Sequence, residues 1–203
     1  MKYQYAENNV YTNVLTLNDV NALLEFYKNK PDAKSESHVI NKNFEYHIPE
    51  DFSYQLLHDK IENIIGPHEF ITGAYKECLK PYPLHSDSAE THDALGTITT
   101  FATGKKLNLV LLIPLVEGDN FCTVVFDCFS KQDLISKRQA TPNQLHKLDF
   151  NYPGWDVINH LPISNIYKWR LGDVFVWNRE QYHISADFLQ YGLIKKFLIM
   201  FIA

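Results

Sequence analysis

Lys80-Pro81-Tyr82-Pro83-Leu84-His85-Ser86-Asp87-Ser88 is the most informative stretch of this chain. In an extended backbone, residues two apart point to the same side, so His85 and Asp87 can present an imidazole and a carboxylate to one point. A second histidine from a distant strand would complete a two-histidine, one-carboxylate facial triad. That set leaves positions on Fe(II) open for a co-substrate and O₂. The spacing alone is weak, because a chain of this His and Asp content holds about 0.6 such pairs by chance. Its plain alternative is a polar turn after Pro83, so the context has to decide.

The best second histidine is His183, in Trp169-Arg170-Leu171-Gly172-Asp173-Val174-Phe175-Val176-Trp177-Asn178-Arg179-Glu180-Gln181-Tyr182-His183. A Gly-Asp turn launches an apolar strand there, and the histidine follows shortly after it. Next comes Gly192-Leu193-Ile194-Lys195-Lys196-Phe197-Leu198-Ile199-Met200-Phe201-Ile202, a strongly apolar strand with two lysines near its start. A charge in such a strand is costly to bury unless it is paired. A dicarboxylate reaching into the interior would be a suitable partner. Neighbours on a strand face opposite sides, so one lysine should point inward and the other outward, where it can snorkel to solvent.

Rival ligands are weaker. His92 and Asp93 are adjacent, so on a strand they face opposite sides. His160 precedes Pro162 and has no base-bearing strand nearby, and His146 lies in a polar, solvated stretch. His38, His47, His58 and His68 read as surface or helix residues.

Around these motifs the chain divides into helices and then strands. Asn18 can cap a helix carrying Val20, Leu23, Leu24, Phe26 and Tyr27 at helical spacing, ending near Lys30-Pro31. A second helix should run from about Glu50 to Ile65 and stop at Gly66-Pro67. Beyond Pro67, six segments are rich in β-branched and aromatic residues: Phe70 to Cys78, Leu95 to Ala102, Lys106 to Leu115, Phe121 to Phe126, Asp173 to Trp177 and Leu193 to Ile202. Helices about 15–66 packed on an all-β sandwich or barrel about 70–203, in one domain, is the expected mostly β (α+β) architecture. Phe129 to Lys168 reads as a long irregular segment of the kind that forms lids or binding loops. Trp155 within it could line a substrate pocket, and Thr97, Thr99 and Asn108 are candidates to face the barrel interior. Trp155 apart, the tryptophans (Trp169, Trp177) read as packing residues.

Composition bounds the function. The 203 residues carry a formal net charge of −5, 45% hydrophobic and 14% aromatic residues, which fits a soluble globular domain and excludes disorder. Mild acidity without basic–aromatic interleaving argues against nucleic acid. The three cysteines, Cys78, Cys122 and Cys128, form no disulfide framework and read as small buried apolar residues of a reducing cytoplasm. No signal peptide or membrane-spanning segment is expected.

His85, Asp87, His183 and the lysine-bearing strand together resemble the Fe(II)/2-oxoglutarate-dependent dioxygenases, especially their prolyl-hydroxylase-like branch. The resemblance covers roughly Phe70 to Ala203. It implies a double-stranded β-helix (jelly roll) with supporting N-terminal helices, and His85, Asp87 and His183 as metal ligands. It further implies 2-oxoglutarate as co-substrate, O₂ as oxidant, and a basic anchor for the far carboxylate. Lys196 is preferred to Lys195 as that anchor, since the family's basic residue is often followed directly by an aromatic one. Tyr75 and Tyr82 fall where relatives place tyrosines, and Tyr75 is the better candidate to hydrogen-bond 2-oxoglutarate. Two features depart from the commonest pattern: the anchor lies slightly farther from the distal histidine, and it is Lys where many relatives have Arg.

Halogenating relatives lack the carboxylate ligand, so Asp87 points to hydroxylation of an amino acid, peptide or small molecule. The rival of a different class is a catalytically silent jelly-roll or cupin-like binding module. A cupin-type metalloenzyme without 2-oxoglutarate is a third possibility, and it would need no lysine anchor.

Overall fold

In a computed structural model of the chain, the structure describes residues 9–28, 52–68, 70–79, 81–82, 84–87, 109–129, 161–186, 188 and 191–202. Among these residues two helices and eight strands follow in the order β1 (Asn9–Tyr11), α1 (Leu17–Lys28), α2 (Phe52–Ile65), β2 (Phe70–Cys78), β3 (Leu109–Pro114), β4 (Cys122–Phe129), β5 (Ile163–Lys168), β6 (Val174–Asn178), β7 (Gln181–Ser185) and β8 (Lys195–Ile202). The strands form a five-stranded sheet of order β1-β6-β3-β8-β2 and a three-stranded sheet of order β5-β4-β7. Every pairing is antiparallel. The described residues are thus mostly β with two helices.

Helix α1 starts one residue before the expected cap. Thr16, not Asn18, closes it: the Asp19 N–H donates to Thr16 Oγ1 at 3.2 Å, and the Thr16 N–H donates to Asp19 Oδ2 at 2.7 Å. This reciprocal pair satisfies two backbone donors that the first turn would otherwise leave open. Helix α2 ends as expected at Gly66, whose φ of 82° suits a residue without Cβ and whose N–H reaches Glu62 O at 2.9 Å. Lys60 of α2 joins Asp19 of α1 at 3.2 Å.

Pleat alternation builds two cores around the five-stranded sheet. Leu111, Ile113, Val174, Val176, Leu198, Met200 and Ile202 face α1 and α2, where they meet Val20, Leu23, Tyr27, Leu57 and Ile61. The opposite side carries Cys78, Val110, Leu112, Phe175, Trp177, Phe197 and Ile199, which pack with Val125, Tyr167 and Trp169 of the other sheet's region. Strand β3 is buried along its whole length, because it contributes to both cores. Val124, Phe126 and Ile184 form a third cluster on the outer face of the three-stranded sheet. Cys78, Cys122 and Cys128 are free and buried.

Three strands were not expected. Strand β1 is short, and β7 carries polar residues at alternate positions, so neither makes an apolar run. Strand β5 lies at the end of the segment read as irregular; its Ser164 and Asn165 obscure the pattern, and pairing with β4 supplies the order. The expected strand Leu95 to Ala102 and the candidates Thr97, Thr99, Asn108, His92, Asp93, His146, Trp155 and His160 lie outside the described residues, as do His38 and His47. Among the described residues, no helix is long and apolar enough to cross a membrane.

The Leu171-Gly172-Asp173 turn launches β6 and also receives the N-terminal segment. Leu15 N–H donates to Gly172 O at 3.0 Å, and Asn13 N–H donates to Asp173 Oδ1 at 3.1 Å. Gly172 has φ +83°, and a Cβ there would fall 2.3 Å from Leu15 O. We expect Gly172→Ala to destabilise the protein by more than ~1 kcal/mol, read as a lower urea midpoint. An unchanged midpoint would show that this turn tolerates a side chain.

Candidate metal centre

His85, outside the named strands, faces His183 of β7 across an isolated antiparallel bridge. Their backbones exchange both hydrogen bonds, His85 N–H to His183 O at 3.1 Å and His183 N–H to His85 O at 2.8 Å. The same chain stretch is fixed at both ends: Ser185 N–H donates to Tyr82 O at 3.2 Å, and Asp87 N–H donates to Arg179 O at 3.2 Å. The H-x-D segment is thereby laid alongside β7 and the turn before it. Strand β7 directs His183 inward, because its cross-strand partner Val125 belongs to the inter-sheet core.

The three side chains meet. Asp87 Oδ2 lies 3.5 Å from His183 Nε2, and Asp87 Oδ1 lies 3.9 Å from His85 Nε2. One ligand atom from each residue falls within 4.8 Å of the other two. A facial set at metal–ligand distances of about 2.1 Å needs ligand separations of about 3 Å, so only a small closing of the side chains is required. His183 Nδ1 lies 3.1 Å from Gln181 O. That carbonyl can only accept, so Nδ1 carries the proton and Nε2 keeps its lone pair for a metal. Asp87 and His183 are buried, whereas His85 is half-buried, so the centre is open from one side. Two imidazoles and one carboxylate fit a hard-to-borderline divalent ion such as Fe(II).

Arg179 is a residue that the sequence did not flag. It sits in the β6–β7 turn, where a charge ordinarily meets water, yet it is buried. Its Nε–H donates to the Asp87 carbonyl while its own carbonyl accepts from Asp87 N–H. Burial draws the guanidinium below its ordinary pKa, and Asp87 and Glu180 pull it back up. Arg179 thus ties the segment carrying two ligand candidates to the hairpin carrying the third. Gln181 secures that hairpin, accepting from Asn178 N–H at 3.2 Å and donating to Phe126 O at 3.2 Å.

The two lysines separate as strand parity requires. Lys195 points into the space between the sheets, is 2% exposed, and donates to Ser185 Oγ at 2.9 Å. Its Nζ sits 3.9 Å from the Trp169 ring centroid and 5.9 Å from that of Phe188. Burial pushes its pKa down to about 8, against a smaller upward pull from Cys78 and Cys122. Ser185 is two residues beyond His183 on the same face, so the ammonium lies about one i to i+2 step (~7 Å) from that histidine's position.

Lys196 and Tyr75 are not brought to the triad. Lys196 pairs with Glu77 at 3.3 Å, and Tyr75 donates to the same carboxylate. The Tyr75 ring stacks on Tyr27 of α1 at 4.3 Å. Both belong to the helix-facing side of the sheet, since Lys196 lies opposite Glu77 and Lys195 opposite Cys78. A following aromatic is no guide to which lysine faces inward, whereas pleat parity is. Tyr82, by contrast, does approach, with its ring 5.4 Å from that of His85. Lys76 donates to its hydroxyl at 3.3 Å.

No protein-family model and no curated protein matches the chain. Solved structures do. The non-heme alpha ketoglutarate dependent epimerase SnoN from nogalamycin biosynthesis superposes with a TM-score of 0.61 at 12% identity, over 100% of this chain and 79% of that one. HygX from Streptomyces hygroscopicus, solved with iron bound, gives 0.57 at 14% identity over 99% and 83%. A Pseudomonas putida prolyl-4-hydroxylase gives 0.50 at 12% identity over 97% and 91%. The chain has the fold of the 2-oxoglutarate/iron oxygenases. Within that oxygenase fold, His85, Asp87 and His183 are the cluster of buried or half-buried ligand candidates among the described residues; the second cluster, His58, Asp59 and Glu62, is more exposed.

If the triad shares one ion, Asp87→Ala should abolish stoichiometric Mn(II) binding in calorimetry. Arg179→Ala, which loosens the support of two ligands, should weaken it roughly tenfold. Undiminished binding by Asp87→Ala would detach the cluster from metal chemistry.

Proposed function

We propose that this chain is an Fe(II)- and 2-oxoglutarate-dependent oxygenase built on a double-stranded β-helix whose walls are the two antiparallel sheets. The observation that carries the reading is the convergence of His85, Asp87 and His183, drawn from two distant chain segments, on one point of the inter-sheet space. These three residues would hold the metal. Iron and 2-oxoglutarate together supply the oxidising chemistry: one O₂ is consumed, 2-oxoglutarate becomes succinate and CO₂, and a substrate C–H becomes C–OH.

The chain's own residues supply binding and orientation. Gln181 O fixes the His183 tautomer, and Arg179 holds the Asp87 segment in place. Lys195, with Ser185 beside it, is the candidate anchor for the far carboxylate of 2-oxoglutarate. A buried ammonium that meets a hydroxyl, aromatic faces and two thiols, with no carboxylate against it among the described residues, gains most from an incoming anion. The half-buried side of the centre, at His85 and Tyr82, is where a substrate has access. An amino acid, peptide or small molecule suits that opening, and the matched solved structures, an epimerase and a prolyl-4-hydroxylase among them, span such substrates. Hydroxylation is the expected outcome because the carboxylate ligand Asp87 is present.

The test is anaerobic loading with Fe(II) and 2-oxoglutarate, admission of O₂, and measurement of succinate, with Asp87→Ala as control. Succinate that requires Asp87 supports the reading. Failure of both succinate formation and 2-oxoglutarate binding to the Mn(II) protein would overturn it in favour of a silent binding module. Lys195→Met should weaken 2-oxoglutarate about tenfold or more with Mn(II) binding retained, and Lys196→Met should leave both nearly unchanged. The reverse pattern would return the anchor to Lys196.

Lys195 also sets a pH dependence. Its pKa is about 8 in the folded chain against an ordinary 10.5, so between those values the unfolded chain holds more protons. Its stability penalty is therefore full below pH 8 and fades as pH rises toward 10.5. A dicarboxylate needs the charged lysine, so 2-oxoglutarate affinity should fall above about pH 8, by up to tenfold per pH unit. A flat calorimetric profile from pH 7 to about 9.5 would remove Lys195 from the binding step.

A further inference from the structure

Trp177 of β6 is fully buried, and its indole Nε1–H makes no hydrogen bond. Among the described residues, other donors of the inter-sheet space each have an acceptor. Trp169 Nε1 donates to Thr123 Oγ1 at 3.1 Å, Tyr167 Oη donates to Val176 O at 3.0 Å, and Lys195 donates to Ser185 Oγ at 2.9 Å. An indole nitrogen can only donate, so it needs an acceptor atom and has no alternative role. A buried donor without an acceptor costs stability and is rare in native proteins. The indole packs in the inter-sheet core, but packing alone gives its N–H no acceptor.

The position supplies a reason. The Trp177 ring lies 5.1 Å from the His183 ring, tilted by 55°, and 5.9 Å from Tyr167. The indole that carries the unsatisfied donor is thus a direct neighbour of the His183 ring rather than part of a remote region of the core. It lies on the far sheet from His183, so a ligand between the sheets would meet it from the opposite wall.

We infer that the Trp177 indole N–H is a ligand-binding donor, which hydrogen-bonds an oxygen of the metal-side carboxylate of a 2-oxo acid held at His85, Asp87 and His183. This rests on the proposed function for the identity of the ligand. It assigns the two ends of that ligand to different residues, the far carboxylate to Lys195 and the near one to Trp177. The donor is left without a partner in the ligand-free chain and acquires one on binding.

The test uses the full chain loaded with diamagnetic Zn(II). The indole ¹H–¹⁵N signal of Trp177 is assigned by its disappearance in Trp177→Phe, and 2-oxoglutarate is then titrated. The signal should move downfield as the site fills. In calorimetry, Trp177→Phe should raise the dissociation constant for 2-oxoglutarate about tenfold while Mn(II) affinity changes less than about twofold. A signal that stays in place while 2-oxoglutarate binds, or equal affinities in the two proteins, would overturn the assignment and leave the oxygenase reading intact. Absence of 2-oxoglutarate binding to the unaltered protein would overturn both. Equal loss of Mn(II) and 2-oxoglutarate affinity would reassign Trp177 to packing around His183.

Discussion

The two backbone hydrogen bonds between His85 and His183 are the constraint on which the rest of the site depends. They fix the register of the Tyr82–Asp87 stretch against β7, and register fixes parity. With His85 and His183 opposite each other, Asp87 falls on their side and Ser86 on the other. A slip of one residue would turn both candidate ligands of the H-x-D segment away from the interior. The ties at Tyr82–Ser185 and Asp87–Arg179 guard against that slip from both ends.

Parity also explains how far the sequence could be read. The H-x-D motif, the distal histidine and the apolar strand with its lysines were legible because each is a local pattern with a physical period. Most strands were visible for the same reason, β2 to the residue. Strands β1, β5 and β7 were not, since their order comes from pairing with distant partners rather than from an apolar run. The choice between Lys195 and Lys196 needed the absolute phase of β8 against β2, and adjacent residues in a uniformly apolar strand do not encode that phase. Tyr75 failed on the same point: its i+2 neighbour Glu77 pairs with Lys196 on the helix side. Arg179 was invisible because a charged residue in a hairpin turn is normally solvated, and only the Asp87 segment arriving above it makes the turn an interior position.

The interior between the sheets is unusually polar for a core. It holds a lysine, a carboxylate, two imidazoles and an indole donor within one aromatic-rich cluster. Each is a burden on the stability of the empty chain. Among the described residues the helix-facing core carries a lighter load: the half-buried Glu77–Lys196 pair lies at its margin and the Lys60–Asp19 pair joins the two helices. The two faces of one sheet therefore differ in character, one almost wholly apolar and the other carrying the destabilising polar groups.

The strand order has a kinetic consequence. In β1-β6-β3-β8-β2 no two neighbours are consecutive in the chain, and β6 and β7, although joined by a tight turn, enter different sheets. Almost every pairing must therefore close a long loop before it gains any contact energy, which makes assembly slow relative to helical or hairpin-rich proteins of this size. The ligand candidates come together only when both sheets have formed and faced each other. A divalent ion can therefore stabilise the finished molecule, but it cannot act as the nucleus around which the chain first collapses.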